Sequence, residues 1–253
     1  MSSPVIVTIG KATQDVFLKS VSAFTEFEHK GVKYEQLPVG QKLDLDEVIF
    51  ATGGNVTNAA VTFARQGLHS KYSWCLGTDA SSEAILQSLD KEGVDTSHVH
   101  QGDPFRASYS AILMLNGGER TILNYKGTMP TAHDPELDLS VIGEGDWVYV
   151  SSLGDMDLLE KIISIAAEHD VKVMLNPAGV ELRNPEKLKG LLEDVQILTV
   201  NKEEAQVIVH GETIEELARH AHHYCPVVIV SDGPNGAVAT DGKTVITAGM
   251  YED

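Results

Sequence analysis

From Pro135 onward the sequence alternates short β-branched runs with amphipathic stretches, and few folds accommodate that order. Residues 147–150, 171–175, 195–200 and 227–230 read as buried strands, and residues 156–168, 185–192, 202–209 and 213–223 as helices between them. Leu158, Leu159, Ile162, Ile163 and Ile165 give the first of these helices an apolar stripe. Strand–helix alternation of this kind makes a parallel sheet joined by right-handed crossovers. A terminal hairpin over residues 237–247, turning at Asp241-Gly242, closes the pattern. The fold class expected is α/β, a mostly parallel central sheet flanked by helices.

The first half is more mixed. Residues 5–9 form a β-branched run stopped by Gly10, the pattern of a buried parallel strand. Residues 15–49 are interrupted by charge and lack helical periodicity; Phe17, Val21, Phe24 and Phe27 give them apolar weight, which suits a peripheral insertion with strand content. Residues 56–66 read as a helix ended by Gly67, residues 72–76 as a strand, and residues 82–92 as a helix ended by Gly93. Two β-rich runs in residues 107–125 flank Asn116-Gly117-Gly118, a hairpin signal. No repeat or low-complexity linker interrupts residues 1–253, so one domain with a β-rich appendage is expected.

Composition narrows the partners. Hydrophobic residues at 42% and charged residues at 22% supply a core and exclude wholesale disorder. The 19 Lys and Arg against 37 Asp and Glu leave a formal net charge of −18, which disfavours nucleic acid and anionic membranes as partners. A small anionic ligand is still allowed, because local N–H groups or one Arg outweigh a distant net charge. Cys75 and Cys225 cannot make a disulfide framework, the first ten residues lack a basic leader pattern, and no run of 18 apolar residues occurs. A soluble cytoplasmic protein is the expectation.

Four constellations carry candidate chemistry. Asp15 follows the first strand at the sheet edge where α/β folds hold ligands, and its carboxylate suits a polyol; a solvated loop carboxylate is the plainer reading. Gly53-Gly54-Asn55 runs straight into a helix, so backbone can approach a ligand while Asn55 caps or donates; an ordinary glycine turn with an Asn cap has the same pattern. Asn201 and Glu204 stand where a strand hands over to a helix, spaced either as a capping box or to serve a hydrated Mg²⁺. Ser231, Gly233 and Gly236 follow the next strand and suit nucleotide phosphate or ribose, or a simple β-turn.

Other patterns are set aside. Gly242-Lys243-Thr244 lies in a hairpin with the wrong spacing for a P-loop. His220, His222, His223 and Cys225 end an amphipathic helix, where His complements the dipole. No G-x-G-x-x-G follows a strand, which argues against a dinucleotide dehydrogenase.

In this order the features resemble the ribokinase-like (PfkB) family of carbohydrate and nucleoside kinases, over essentially the whole chain. The resemblance is carried by Gly53-Gly54-Asn55, Asn58-Ala59-Ala60, Arg65 and Gly67, by Gly77-Thr78-Asp79, by Asn176-Pro177-Ala178, by Asn201 with Glu204, and by Ser231, Gly233, Gly236 and Ala237. It implies a small β lid, matched here by residues of about 15–50 and 107–125. It implies Asp15, Gly53, Gly54 and Asn55 on sugar hydroxyls, with Glu119 or Arg120 adding a contact from the lid. It implies Asn201 and Glu204 acting on Mg²⁺ and phosphate, Ser231, Gly233 and Gly236 lining an ATP site, and a homodimer through the lid. Asn55 stands where ribokinases tend to carry Lys, so the resemblance does not secure ribose, and fructose, another ketose or a nucleoside stay open as substrates.

One departure stands out. The family's catalytic Gly-Ala-Gly-Asp should follow the terminal hairpin, and the sequence reads Tyr251-Glu252-Asp253 there. Its Asp is the family's general base, and losing such a base or the neighbouring donors costs on the order of 10²–10⁴ each. Asp253 lacks the flanking glycines, so no catalytic residue is assigned and the 253-residue form is expected to be inactive. A shortened gene, part of a longer or split polypeptide, and a non-catalytic sugar-binding or regulatory homologue all fit. Helices missing with that segment would leave one sheet face bare.

Overall fold

The computed structural model describes residues 3–115 and 118–250. The chain opens with β1 (Val5–Gly10) and β2 (Thr13–Lys19), followed by an exposed hairpin of β3 (Thr25–His29) and β4 (Val32–Gln36). Then come β5 (Glu47–Gly53), α1 (Asn55–Arg65), β6 (His69–Ser73), β7 (Cys75–Leu76), α2 (Ala80–Lys91) and β8 (His100–Gln101). After β9 (Ser108–Met114) and β10 (Arg120–Tyr125), the alternating part begins with β11 (Trp147–Ser151), α3 (Met156–Glu168) and β12 (Lys172–Asn176). It continues through α4 (Gly179–Leu182), α5 (Pro185–Leu191), β13 (Ile197–Asn201), α6 (Lys202–Ile208), α7 (Ile214–Ala221), β14 (Val227–Ser231), β15 (Ala237–Thr240) and β16 (Val245–Ala248).

Eight strands form the large sheet in the order β16-β15-β14-β13-β12-β11-β1-β6. From β14 to β6 every pairing is parallel; β15 and β16 are antiparallel additions. Parallel pairing brings the C-terminal ends of β1, β11, β12, β13 and β14 out along one edge. Helix α3 shows why the helices dock: Leu158, Leu159 and Ile162 are fully buried, each stabilising by about 1.5–3 kcal/mol. The Asp155 carboxylate starts that helix by accepting the N–H groups of Asp157 at 2.8 Å and Leu158 at 3.3 Å. Toward β13–β15 the strands alternate buried Leu198, Val200, Val228, Val230 and Val238 with half-buried Ile197, Thr199, Val227, Ile229 and Ala239. Helices α6 and α7 contact these strands, and the alternation shows that one face is covered much more fully than the other.

A second, four-stranded sheet has the order β10-β9-β2-β5, with β2 and β9 parallel and the other pairs antiparallel. Its hairpin signal falls partly on Asn116 and Gly117, outside the described residues; Leu115 N–H donates to the Glu119 carbonyl at 2.9 Å beside them. The apolar run 72–76 is not one strand. It leaves the large sheet after Ser73, and β7 pairs with β8 instead, with the buried Trp74 at the break. Among the described residues no helix is long and apolar enough to cross a membrane.

Candidate active site

The edge where β1, β11, β12, β13 and β14 end is the ligand-bearing edge of open α/β sheets. At its first crossing Gly10 has φ +147°, and a Cβ there would overlap the Ser151 carbonyl oxygen, so only glycine lets β1 and β11 run this close. Asp15 stands in β2, not in a solvated loop, opposite Ala51 of β5 and Ser110 of β9. The two-residue period of β5 puts Gly53 on the same face, and a Cβ on Gly53 would overlap the Asp15 carboxylate. Burial raises the Asp15 pKa, against the pull of the Ser110 hydroxyl and Lys11.

Gly54, at φ +105°, caps α1; a Cβ there would sit 2.8 Å from the Lys11 carbonyl oxygen. No side chain caps α1, which corrects the capping role considered for Asn55. Asn55 lies inside the first turn, and its Nδ2 donates to Asn176 Oδ1 at 2.8 Å. The same Oδ1 accepts the Ser151 hydroxyl at 3.2 Å, while Asn176 Nδ2 donates to the Thr199 carbonyl at 2.8 Å. A polar relay therefore joins the start of α1 to β11, β12 and β13. Asn176 is its hub, and the sequence offered only its motif, not this role.

Beyond the relay lie the remaining candidates. Asn201 and Glu204 make both arms of a capping box: Asn201 Oδ1 accepts Glu204 N–H at 2.8 Å, and Glu204 Oε2 accepts Asn201 N–H at 2.9 Å. Burial raises the Glu204 pKa, with the Asn201 N–H pulling the other way. Ser231 pairs in register with Asn201, so the two loops leave side by side. Gly233 has φ +48° with open space where a Cβ would stand; Gly236 has φ +89°, and a Cβ there would overlap the Ala248 carbonyl oxygen. Lys202 reaches Asp232 at 3.6 Å and ties this turn to α6.

Glu119 and Arg120 do not join the group. Asn124 is the β10 residue level with Ser110 and Asp15, and Arg120 lies four positions up the strand, about 14 Å at strand rise. Both side chains are exposed at the far end of the small sheet. At its near end stands Lys126, which sequence reasoning missed together with Lys11; burial and Lys126 lower the Lys11 pKa. The histidines near the end of α7 are occupied by backbone carbonyls, His220 on His210, His222 on Pro226 and His223 on His220. Among the described residues no group of three His, Cys, Asp or Glu is placed to hold a metal ion. Burial pushes the Cys75 thiol to about 12 and the Cys225 thiol to about 11, which leaves neither reactive at neutral pH.

The strand order, the small sheet and the edge cleft define a ribokinase-like α/β fold. A ribokinase from Arabidopsis thaliana, solved with ribose and ATP, superimposes at a TM-score of 0.76 and 20% identity over 99% of this chain and 78% of its own. An adenosine kinase from Sinorhizobium meliloti gives 0.75 at 17% identity, covering 100% and 82%. The model of the pfkB family of carbohydrate kinases matches residues 21–250, and the chain belongs to that family. It is 26% identical over 181 residues to a ribokinase of Haemophilus influenzae, covering 70% of this chain and 57% of that one. A fructokinase of Salmonella typhimurium is 31% identical over 101 residues, 40% of this chain and 33% of that protein. The chain thus spans little more than half of the curated ribokinase it matches.

Proposed function

We propose that the protein transfers the γ-phosphoryl group of ATP to a hydroxyl of a sugar or nucleoside, and that residues 1–253 supply the binding half of that reaction. Asp15, Gly53, Gly54 and Asn55 hold substrate hydroxyls, with the small sheet as a lid over them. Asn201, Ser231, Gly233 and Gly236 line the nucleotide, and Glu204 serves a hydrated Mg²⁺. The observation that carries this reading is the Asn55–Asn176 relay, which connects the Asp15 side of the edge to the Thr199 carbonyl, two residues before Asn201. Family membership supports the class of chemistry, and the relatives named above support sugars and nucleosides as substrates.

The residues fit the groups implied. Glu204 spends one oxygen on the Asn201 N–H, leaving the other for a metal-bound water, and Mg²⁺ takes few carboxylates because it keeps its waters. The open space at Gly233 suits a backbone that a phosphate or ribose approaches closely. When bound, Mg²⁺–ATP supplies the phosphoryl group and the cation that spreads its charge. The chain's own part is positioning: Asp15 fixes the acceptor by its hydroxyls, the Gly53-Gly54 backbone gives close approach, and the relay holds both halves in register. No residue of 1–253 is assigned as general base. The exposed Phe50 and Leu123 lie level with Val16 and Ala111 on the face opposite Asp15, which supports a second copy of the chain as the partner of the small sheet.

A thermal-shift panel of pentoses, hexoses and nucleosides, with and without Mg²⁺–ATP, tests the binding reading. Saturable stabilisation by at least one of them, and by the nucleotide, is expected, since a ligand of the folded state raises its stability. A panel that moves nothing overturns it. Sugar binding with background ATP consumption by the natural polypeptide would select a non-catalytic homologue instead.

A further inference from the structure

Glu181, the third residue of α4, is only 2% exposed, and it stands outside the residues assigned above to sugar or nucleotide. A carboxylate persists in such a place where hydrogen bonds replace its water. Its two oxygens are divided between two loops. Oε1 accepts the Gly154 N–H at 3.0 Å, and Oε2 accepts the Ala178 N–H at 3.3 Å. Gly154 lies three residues beyond Ser151 at the exit of β11, and Ala178 two residues beyond Asn176 at the exit of β12. Ser151 and Asn176 are level in the sheet, and both belong to the relay that ends on Asn55. One buried side chain clamps the two exits from which the relay is built.

The loop after β11 needs such a hold. Ser152 has φ +56° and Gly154 φ +74°, two left-handed residues within three. That conformation is costly for serine and persists where the surroundings enforce it. The turn brings the Ser152 hydroxyl to 3.3 Å from that of Ser151, which in turn donates to Asn176 Oδ1 at 3.2 Å. A carboxylate suits the clamp because N–H groups arriving from two loops need two acceptor oxygens, and an amide offers one. Burial raises the Glu181 pKa, while the N–H groups of Gly154, Ala178 and Leu153 pull it back toward the charged form.

We infer that Glu181 is a positioning residue, which sets the register of the β11 and β12 exits and, through Ser151 and Asn176, the direction in which Asn55 meets the acceptor sugar. Asn55 Nδ2 is thereby fixed on Asn176, leaving its Oδ1 to accept a substrate hydroxyl. The inference rests on the reading of the cleft as a sugar site and adds a residue that acts behind it, without touching the ligand.

Glu181→Gln tests it, since it keeps the side-chain volume but leaves one of the two N–H groups facing an NH₂. In nitrogen–proton correlation spectra the side-chain amide signals of Asn55 and Asn176 should shift from those of the unsubstituted chain. By calorimetry, the affinity for whichever of ribose, fructose and adenosine binds should fall about tenfold. Thr213→Ala is the control: it removes the cap of α7, touches neither loop, and should lower the urea midpoint without moving either signal. Signals and affinity unchanged in Glu181→Gln, or a lower urea midpoint with both signals in place, overturns the positioning role.

Should that variant not fold, acidification of the unsubstituted chain decides. The backbone N–H signals of Gly154 and Ala178 report protonation of Glu181, and the Asn55 and Asn176 signals should move with the same midpoint, in Asp15→Asn as well. Lys11, Lys126 and Arg183, which line the same cavity, stay charged on acidification, and the neighbouring Asp155 accepts the N–H groups of Ala132, Asp157 and Leu158 instead. Asparagine signals that hold still through that midpoint overturn the inference. If none of the three ligands binds, the sugar reading falls, and the amide signals alone uphold or overturn the clamp.

Discussion

Asp15 is partly buried, and burial favours its neutral form over the charged form that the proposed hydroxyl-binding role uses. Its folded pKa is raised, so the protonated form contributes stability below about pH 3.9 that is lost as pH rises through the raised value. At neutral pH the ionised carboxylate therefore weakens the fold. Asp15→Asn is expected to leave chemical-denaturation stability at pH 7 equal or higher, while sugar affinity by calorimetry falls about 10- to 100-fold. In the unsubstituted chain, affinity should rise with pH across the same titration. Gly54→Ala should behave differently: at φ +105°, with a Cβ 2.8 Å from the Lys11 carbonyl, it should cost about 1–3 kcal/mol of stability in urea denaturation. The glycine pair was readable as backbone open to close approach, because two glycines between a strand and a helix have few uses; the place of Asp15 inside β2, facing Gly53, was not, since it depends on pairing with β5. Lys11 and Lys126 were not, since 115 positions separate them and only the packing of the small sheet on β1 brings them together. Asn55 was half legible: the sequence marked it as a polar group at a helix start, but its partner Asn176 is 121 residues away.

Helix α6 starts on a capping box, and substitution separates that cap from the Mg²⁺ role proposed for Glu204. Asn201→Ala removes the cap and should cost about 1 kcal/mol by urea denaturation. Glu204→Gln retains an acceptor for the Asn201 N–H, so stability should stay close to that of the unsubstituted chain while Mg²⁺-dependent nucleotide affinity drops in titration. Equal nucleotide affinity with and without Mg²⁺ in both proteins would reduce Glu204 to a cap. In the small sheet, Phe50→Asp, at a side chain 71% exposed, should shift light-scattering mass toward the monomer if that face pairs two copies. Helices such as α3 were legible to the residue, since thirteen positions carry a clear apolar period. Helix α4 was not, because four residues are too few to show one. Glu119 and Arg120 were misplaced for a related reason: strand content can be read locally, but which end of a hairpin meets the cleft depends on register with β2.

Across the whole molecule, the parallel order from β14 to β1 makes one edge out of loops that are up to 221 residues apart, from Lys11 to Asp232. The alternation of strands and helices was enough to expect such an edge; the polar relay that crosses it depends on side-chain contacts that no spacing rule encodes. The central claim is that a polyol beside Asp15 and a triphosphate beside Glu204 occupy one continuous cleft. Paramagnetic relaxation tests it most directly: Mn²⁺ replaces Mg²⁺ with ATP, and the proton relaxation of a bound sugar is measured with and without the metal. Strong enhancement, abolished when Asp15→Asn releases the sugar, is the result expected. A sugar that binds with full affinity while its protons remain unaffected by Mn²⁺–ATP bound to the same chain would contradict it.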